Sequence, residues 1–421
     1  MLPSRVSASR RRLLQFIAAS PLIAPDVRRA WAQGAAATGT RPPDPMVWAA
    51  LDPSLVIARP EDAINIFDFE VAARNTVPPA HFGYMAGGVE AEVSLRANRE
   101  GFTKFQLRPR RLNDVSKLDM SMSIFGQTWG SPVYIAPVGG CMAYHPEAEV
   151  AVAHAAQKGN HLQMLSSFAN TAIEDAIEAR GAPVVFQLYP TRSYDVAKSL
   201  CLRAKAAGSQ AIAVTVDRVS GRRMETQERL ARQDTRTCTD CHDNSSVETS
   251  LQRKVNFDRI DFAAAGIKGV VSDNVTWDRL KRLHDDVKMP MLIKGVMTPE
   301  DAELCVRTGF DGMIVSNHGG RAEDSGLSTI EALEPILAAV KGRIPVLVDS
   351  GFRRGADVVK ALAMGATAVG VGRPYLWGLG SFGQEGVEQV LAMIHGETRV
   401  AMAQCGAASI KQLTPGHVRH I

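Results

Sequence analysis

The chain has 421 residues, 45% of them hydrophobic, which suffices for one large domain or for two ordinary ones. Its formal net charge of +4 sits at one end: residues 1–32 hold six arginines against one acid, Asp26, so the remainder carries −1. A near-neutral body excludes a protein that binds nucleic acid by charge.

The first 32 residues have the layout of an export signal. Ser9-Arg10-Arg11-Arg12-Leu13-Leu14 resembles a twin-arginine motif. The apolar stretch 13–24 behind it is too short, and too interrupted by Pro21, to span a bilayer. Ala30-Trp31-Ala32 supplies a small-x-small cleavage site, so the mature protein is expected in the periplasm. Residues 33–60, rich in Ala, Gly, Pro and Thr, read as a linker, and 61–421 as the folded body. A short helix is expected around Phe67-Asp68-Phe69-Glu70-Val71. In His81-Phe82-Gly83-Tyr84-Met85-Ala86-Gly87-Gly88 the glycines could set Tyr84 beside a ligand, although taken on its own Tyr84 reads better as a packing residue.

Past residue 130 a rhythm begins. Short apolar runs at 132–136, 162–166, 184–189, 211–216, 291–294, 313–316, 345–349 and 368–372 read as strands. Helical patterns lie between most of them, as at 147–157, 194–207, 299–308 and 356–364. Eight strands alternating with helices predict an α/β fold, a (β/α)8 TIM barrel, whose active site lies at the C-terminal strand ends. A doubly wound sheet is disfavoured because no strand opens into a GxGxxG turn.

Those strand ends are polar or glycine: Pro137-Val138-Gly139, Ser166-Ser167-Phe168, Gln187-Leu188-Tyr189, Thr215-Val216-Asp217, Lys294-Gly295, Ser316-Asn317-His318, Asp349-Ser350-Gly351 and Gly372-Arg373. Helix capping accounts for any one of them, but not for a set that also holds Lys, His and Arg. In Ser316-Asn317-His318-Gly319-Gly320-Arg321 the histidine can take a proton near neutral pH and the arginine can grip a carboxylate with two hydrogen bonds. The last two ends pair glycine with arginine before a helix (Gly351 with Arg353, Gly372 with Arg373), a pattern suited to phosphate.

Residues 224–276 form a long, polar insertion after the fourth strand. It contains Cys238-Thr239-Asp240-Cys241-His242, a C-x-x-C-H run that matches covalent haem c attachment, with His242 as an iron ligand. A local disulfide and half of a metal site remain open readings. Met224 is a candidate second haem ligand. The other four cysteines are expected to be buried thiols.

Over residues 64–420 this set of motifs resembles the FMN-dependent α-hydroxy-acid dehydrogenase and oxidase family. The resemblance rests on Tyr84, Ala136-Pro137, Gln187-Leu188-Tyr189, Thr215-Val216-Asp217, Gly221-Arg222-Arg223, Ile293-Lys294-Gly295, the run from Ser316 to Arg321, Arg353 and Gly372-Arg373. It implies oxidation of an L-2-hydroxy acid, lactate-like, to the 2-oxo acid through FMN. It implies His318 as base with Asp217 behind it, Arg223 and Arg321 as the carboxylate clamp, and Tyr84 and Tyr189 as substrate hydrogen-bonders. Lys294 is implied at the flavin N1–C2 edge; Ser166, Gln187 and Thr215 at the ring; Asp349 and Arg353 at the ribityl and phosphate. Pro137, Val138, Gly139, Ser316, Gly351, Gly372 and Arg373 complete the expected cofactor contacts, and Phe168 the substrate side-group pocket. Four departures stand out: Val138 for a usual threonine, Phe168 where glycolate oxidase has tryptophan, Ser350 for a usual glycine, and one residue fewer between Thr215-Val216-Asp217 and Gly221-Arg222-Arg223 than in glycolate oxidase. With haem present, electrons are expected to pass to a cytochrome or other periplasmic acceptor; without it, to oxygen. A homo-oligomer is expected. An FMN-barrel isomerase would keep the phosphate loops with no need for His318 beside two carboxylate arginines, and a non-catalytic flavin-binding protein would need none of the set.

Overall fold

The computed structural model describes residues 51–236, 247–265 and 273–421. The export signal, the linker up to residue 50 and the Cys238, Cys241 and His242 run lie outside the described residues.

Each expected strand forms within two residues of its expected bounds. They are β1 (Val133–Ile135), β2 (Met164–Ser166), β3 (Val185–Leu188), β4 (Ala211–Thr215), β5 (Met291–Val296), β6 (Gly312–Val315), β7 (Val346–Val348) and β8 (Ala368–Val371). All pairings are parallel, β2 through β8 in sequence order and β8 back to β1. Between β1 and β2 a single bridge joins Ile135 to Gln163, and Ile135 N donates to Leu162 O at 2.9 Å, so the ring is almost closed. The result is a (β/α)8 barrel. Its strands are buried on both faces, which is why they read as unbroken apolar runs rather than as alternation.

Side chains fill the barrel interior, among them Tyr134, Met164, Val185, Ala213, Leu292, Ile314 and Leu347. Tyr134 fits because its register neighbour on β8 is Gly370, where a Cβ would come within 2.4 Å of the tyrosine ring. An antiparallel hairpin, Met122–Ile124 with Gln127–Trp129, adds Met122, Ile124 and Trp129 to the same cluster.

Helix bounds follow their punctuation. Pro299–Thr308 begins with proline after an N-cap Thr298, whose hydroxyl accepts from Asp301 N at 3.2 Å, and ends at Gly309 with φ +88. The short helix expected near Phe67 runs Ile66–Thr76, and Tyr84 lies on the next one, Pro79–Ala86. Residues 51–60 of the expected linker hold a 3₁₀ turn, Pro53–Leu55, capped by Asp52.

The insertion is more ordered than a polar loop. Its described parts form Glu225–Ala231, Val247–Gln252 and Phe262–Ala265, with a 3₁₀ turn at Val255–Phe257. Glu225–Ala231 packs against Pro79–Ala86 at Gly83, where a Cβ would touch Gln227 and Leu230. Asn256 is buried; its Oδ1 accepts from Ile173 N at 3.0 Å and its Nδ2 donates to Thr171 O at 3.2 Å. These anchors hold the insertion to the barrel on both sides of residues 237–246. Met224 is buried at the head of Glu225–Ala231.

Candidate active site

The C-terminal strand ends converge on a cavity of about 820 Å³, its open mouth included, which is the size range of small-ligand sites. A ladder crosses three of them. Ser166 Oγ donates to Gln187 Oε1 at 2.9 Å, and Gln187 Nε2 donates to Thr215 Oγ1 at 2.8 Å. Gln187 and Thr215 line the cavity, and the buried Ser166 supports them from outside it.

Lys294 ends this row. The β5–β6 pairing slips between Lys294 and Val296, and Gly295 at the slip has φ +113. A Cβ there would come within 2.9 Å of Asp217 Cβ, so glycine lets the β4 and β5 ends approach. Lys294 donates to Ser316 Oγ at 2.8 Å and lies 3.3 Å from Asp349 Oδ2, while Ser316 Oγ donates to Asp349 Oδ1 at 2.6 Å. Burial alone would lower the ammonium, but Asp349 and Asp217 outweigh it and hold its pKa above the ordinary value. Lys294 is therefore a buried cation at neutral pH.

His318 leaves β6 with φ +59, a left-handed conformation that costs a non-glycine residue about 1–2 kcal/mol. Ser316 Oγ accepts from its amide at 3.1 Å. The turn sets the imidazole between two partners, Nδ1 2.9 Å from Asp217 Oδ1 and Nε2 3.0 Å from Tyr189 Oη. With a carboxylate at Nδ1, that nitrogen carries the proton and Nε2 presents a lone pair. Burial pulls the imidazole down to about 4, against the upward pull of Asp217, so it is neutral at physiological pH. Burial alone would raise Asp217, yet His318, Lys294 and Arg218 together hold it below its ordinary value.

Arg321 reaches from the same loop to Tyr84. Its guanidinium carbon lies 4.4 Å from the ring centroid, and Nη1 donates to the carbonyls of Tyr84 and Gly87. Burial would raise the Tyr84 phenol, but Arg321, Arg222 and Arg218 bring it down to about 8. Here the expected second clamp arginine is corrected. Arg223 is exposed, with its carbonyl taken by Glu90 N at 3.0 Å. Arg222 is the inward one: Nη1 donates to Arg321 O at 2.7 Å, and its charge acts on Tyr84 and His318. Residues 217–224 form no strand, and how this irregular segment turns decides which of the two adjacent arginines faces inward.

Phe168 stacks on Tyr189 of the cavity wall, centroids 4.7 Å apart, with Phe257 of the insertion at 5.8 Å. Tyr144, Met85 and Leu376 line the cavity and were missed. Tyr144 follows Gly139-Gly140 much as Tyr84 precedes Gly87-Gly88, and that glycine setting was the available signal.

The β7 and β8 ends form the other half, where Asp349, Gly351, Arg353 and Gly372 face Pro137, Val138 and Gly139 of the β1 end. Ser350 takes φ +79, a region that favours glycine, and compensates through its hydroxyl. That group donates to Asp349 Oδ1 at 2.8 Å and accepts from Gly319 N at 2.9 Å. Arg353 is buried with its guanidinium carbon 4.8 Å from the Trp377 ring centroid, and burial lowers it to about 10. Arg373 lines the cavity with them and also ties its wall: Nε, Nη1 and Nη2 donate to Met85 O, Gly319 O and Gly87 O at 2.9, 2.8 and 2.8 Å. The donor set suits a phosphate-bearing planar cofactor. At Gly372, before the helix Arg373–Gln404, a Cβ would meet nothing within 4 Å, which leaves the backbone open beside Arg353. At the opposite end Gln187 and the Lys294 cation can face a polar ring edge.

A family profile described as FMN-dependent dehydrogenase matches residues 73–420. A peroxisomal (S)-2-hydroxy-acid oxidase of Oryza sativa subsp. japonica is 39% identical over 362 residues, 84% of this chain and 95% of that protein. An L-lactate oxidase of Lysinibacillus sphaericus is 38% identical over 349 residues, 82% of this chain and 90% of that protein. Among solved structures, a mandelate oxidase superposes with TM-score 0.75 at 34% identity, covering 85% of this chain and 98% of its own. A mutant of an active chimera of (S)-mandelate dehydrogenase gives 0.77 at 32%, covering 85% and 99%.

Proposed function

The chain belongs to the FMN-dependent dehydrogenase family and is an FMN-dependent 2-hydroxy-acid oxidoreductase, and from that premise we propose that it oxidises an L-2-hydroxy acid to the 2-oxo acid in the periplasm. One observation carries the reading of the site. The Nε2 lone pair of His318, backed by Asp217, lies in the cavity that also holds Lys294 and Arg321.

In this reading Arg321, with Arg222 behind it, grips the substrate carboxylate, and Tyr84 and Tyr189 hydrogen-bond the oxygens at C1 and C2. The substrate hydroxyl takes the place of Tyr189 at Nε2, and His318 accepts the proton released on oxidation. Asp217, already bonded to Nδ1, stabilises the imidazolium that results. Bound FMN supplies the two-electron oxidant. Lys294 holds a positive charge beside the place where that oxidation deposits negative charge.

The twin-arginine segment supports export, and we infer that the active protein is a homo-oligomer. The C-x-x-C-H run supports a covalent haem c at Cys238 and Cys241, with His242 on the iron, as the route from FMN to an external cytochrome-type acceptor. A second reading has support of its own: several relatives are named oxidases, which favours oxygen as acceptor. The test is the mature protein from a host with haem-attachment machinery. L-Lactate, but not D-lactate, should bleach its bound flavin under argon, and haem absorbance should stay with the polypeptide through acid–acetone extraction. Flavin that no 2-hydroxy acid reduces rejects the oxidoreductase assignment. Bleaching without retained haem leaves the oxygen reading.

A further inference from the structure

Arg218 follows directly on Asp217, and neither the carboxylate clamp nor the base uses it. Its guanidinium carbon lies 5.5 Å from the centroid of Tyr189, the ring whose hydroxyl is 3.0 Å from His318 Nε2. It is half-buried, and among the described residues it has no hydrogen bond or ion pair. Asp217 does not serve it: Oδ1 is bonded to His318, and Oδ2 has no hydrogen-bond partner.

The charges around the substrate position do not balance. Lys294 is matched by Asp349, and Asp217 faces a neutral His318. Arg218, Arg222 and Arg321 all act on Tyr84, and no ion pair to a carboxylate holds any of the three among the described residues. Three guanidinium groups that no described carboxylate pairs leave positive charge free to meet an anion: a monocarboxylate substrate meets part of it, and a dicarboxylate meets more.

We propose that Arg218 binds an anionic group on the substrate's side chain, so that the preferred substrates are short 2-hydroxy dicarboxylic acids. This deepens the function proposed above and rests on it. The α-carboxylate goes to Arg321, the hydroxyl to His318 Nε2, and the distal carboxylate to Arg218 at the Tyr189 side of the mouth. A hydrogen bond to a charged group discriminates by about 10–100-fold.

The experiment uses two substrates that differ only at the far end, L-malate and L-2-hydroxybutyrate, and measures anaerobic flavin reduction by the FMN-loaded enzyme. The wild type should favour L-malate by at least about tenfold in kcat/KM. Arg218→Gln should cut that preference by about 10–100-fold, chiefly through the KM for L-malate, and Arg218→Lys should retain most of it. A wild type that favours L-2-hydroxybutyrate, or treats the two alike, overturns the proposal. So does an Arg218→Gln variant that loses both substrates equally, which would make Arg218 a positioning residue for Tyr189. If no 2-hydroxy acid, mono- or dicarboxylic, reduces the flavin, the function proposed above fails, and this inference with it.

Discussion

Around the reacting position His318 and Lys294 bond to side chains, whereas Arg373 bonds to backbone. His318 meets Asp217 and Tyr189, and Lys294 meets Ser316 and Asp349. Arg373 instead ties three carbonyls from Met85, Gly87 and Gly319, and so joins the helix Pro79–Ala86 and the loop after β6 to the last barrel helix. The two kinds of bonding teach different things. Side-chain partners tune proton affinity and charge, which is what chemistry at a reacting carbon needs. Backbone partners fix the shape of a wall, which is what holding a cofactor needs. Variants of the first kind should lose turnover with the cofactor kept, and variants of the second should lose the cofactor first.

The largest effect is expected from Arg373→Ala. It takes the donor from Met85 O and Gly319 O and leaves Gly87 O with Arg321 Nη1 alone, at a cost of about 1–3 kcal/mol for each carbonyl that stays buried and unpaired. FMN content per purified chain should collapse and the melting temperature should fall; full flavin occupancy at unchanged Tm would erase the contrast between the two kinds of bonding. Next, Asp217→Asn should keep FMN but slow its reduction by about 10²-fold or more, because the imidazolium loses its counter-charge. Loss of flavin from that variant would move Asp217 to the scaffold. Arg321→Lys should lower kcat/KM by about 10–100-fold with KM raised, since lysine cannot make a two-point grip. Steady-state constants equal to wild type would argue against the clamp. The smallest effect belongs to Tyr189→Phe, which removes one hydrogen bond of about 1 kcal/mol and should slow reduction by roughly fivefold. A loss as large as that of Asp217→Asn would make Tyr189 more than a hydrogen-bond partner.

The pH dependence follows the same division. Burial depresses His318 to about 4, so the base is neutral above that value and is lost as pH falls through it. Activity should therefore persist below about 6.5, where a solvent-exposed histidine would already be protonated.

The barrel was legible because parallel strands covered on both faces leave unbroken apolar runs, and Pro299–Thr308 because proline and glycine mark its ends. His318, Asp217 and Lys294 were legible because they stand where such runs stop. The choice between Arg222 and Arg223 was not, since it depends on how an irregular segment turns, and both residues carry the same chemistry. Arg373 was legible as a cavity residue from glycine plus arginine before a helix, but nothing local records that Met85, Gly87 and Gly319 would take its nitrogens. The packing of Phe168 was not legible, because its partner Phe257 is 89 residues away, inside an insertion whose composition reads as loop.

The most direct test of the account is flavin reduction in a single anaerobic turnover by His318→Ala. The variant should purify with as much FMN as the wild type, because the side-chain partners of His318 are Asp217 and Tyr189 and it makes no bond to Arg353 or Arg373 among the described residues. Its reduction by a 2-hydroxy acid should be slower by about 10²–10⁴-fold, the contribution of a positioned base. Reduction at the wild-type rate would contradict the assignment of His318 as the group that takes the substrate's proton.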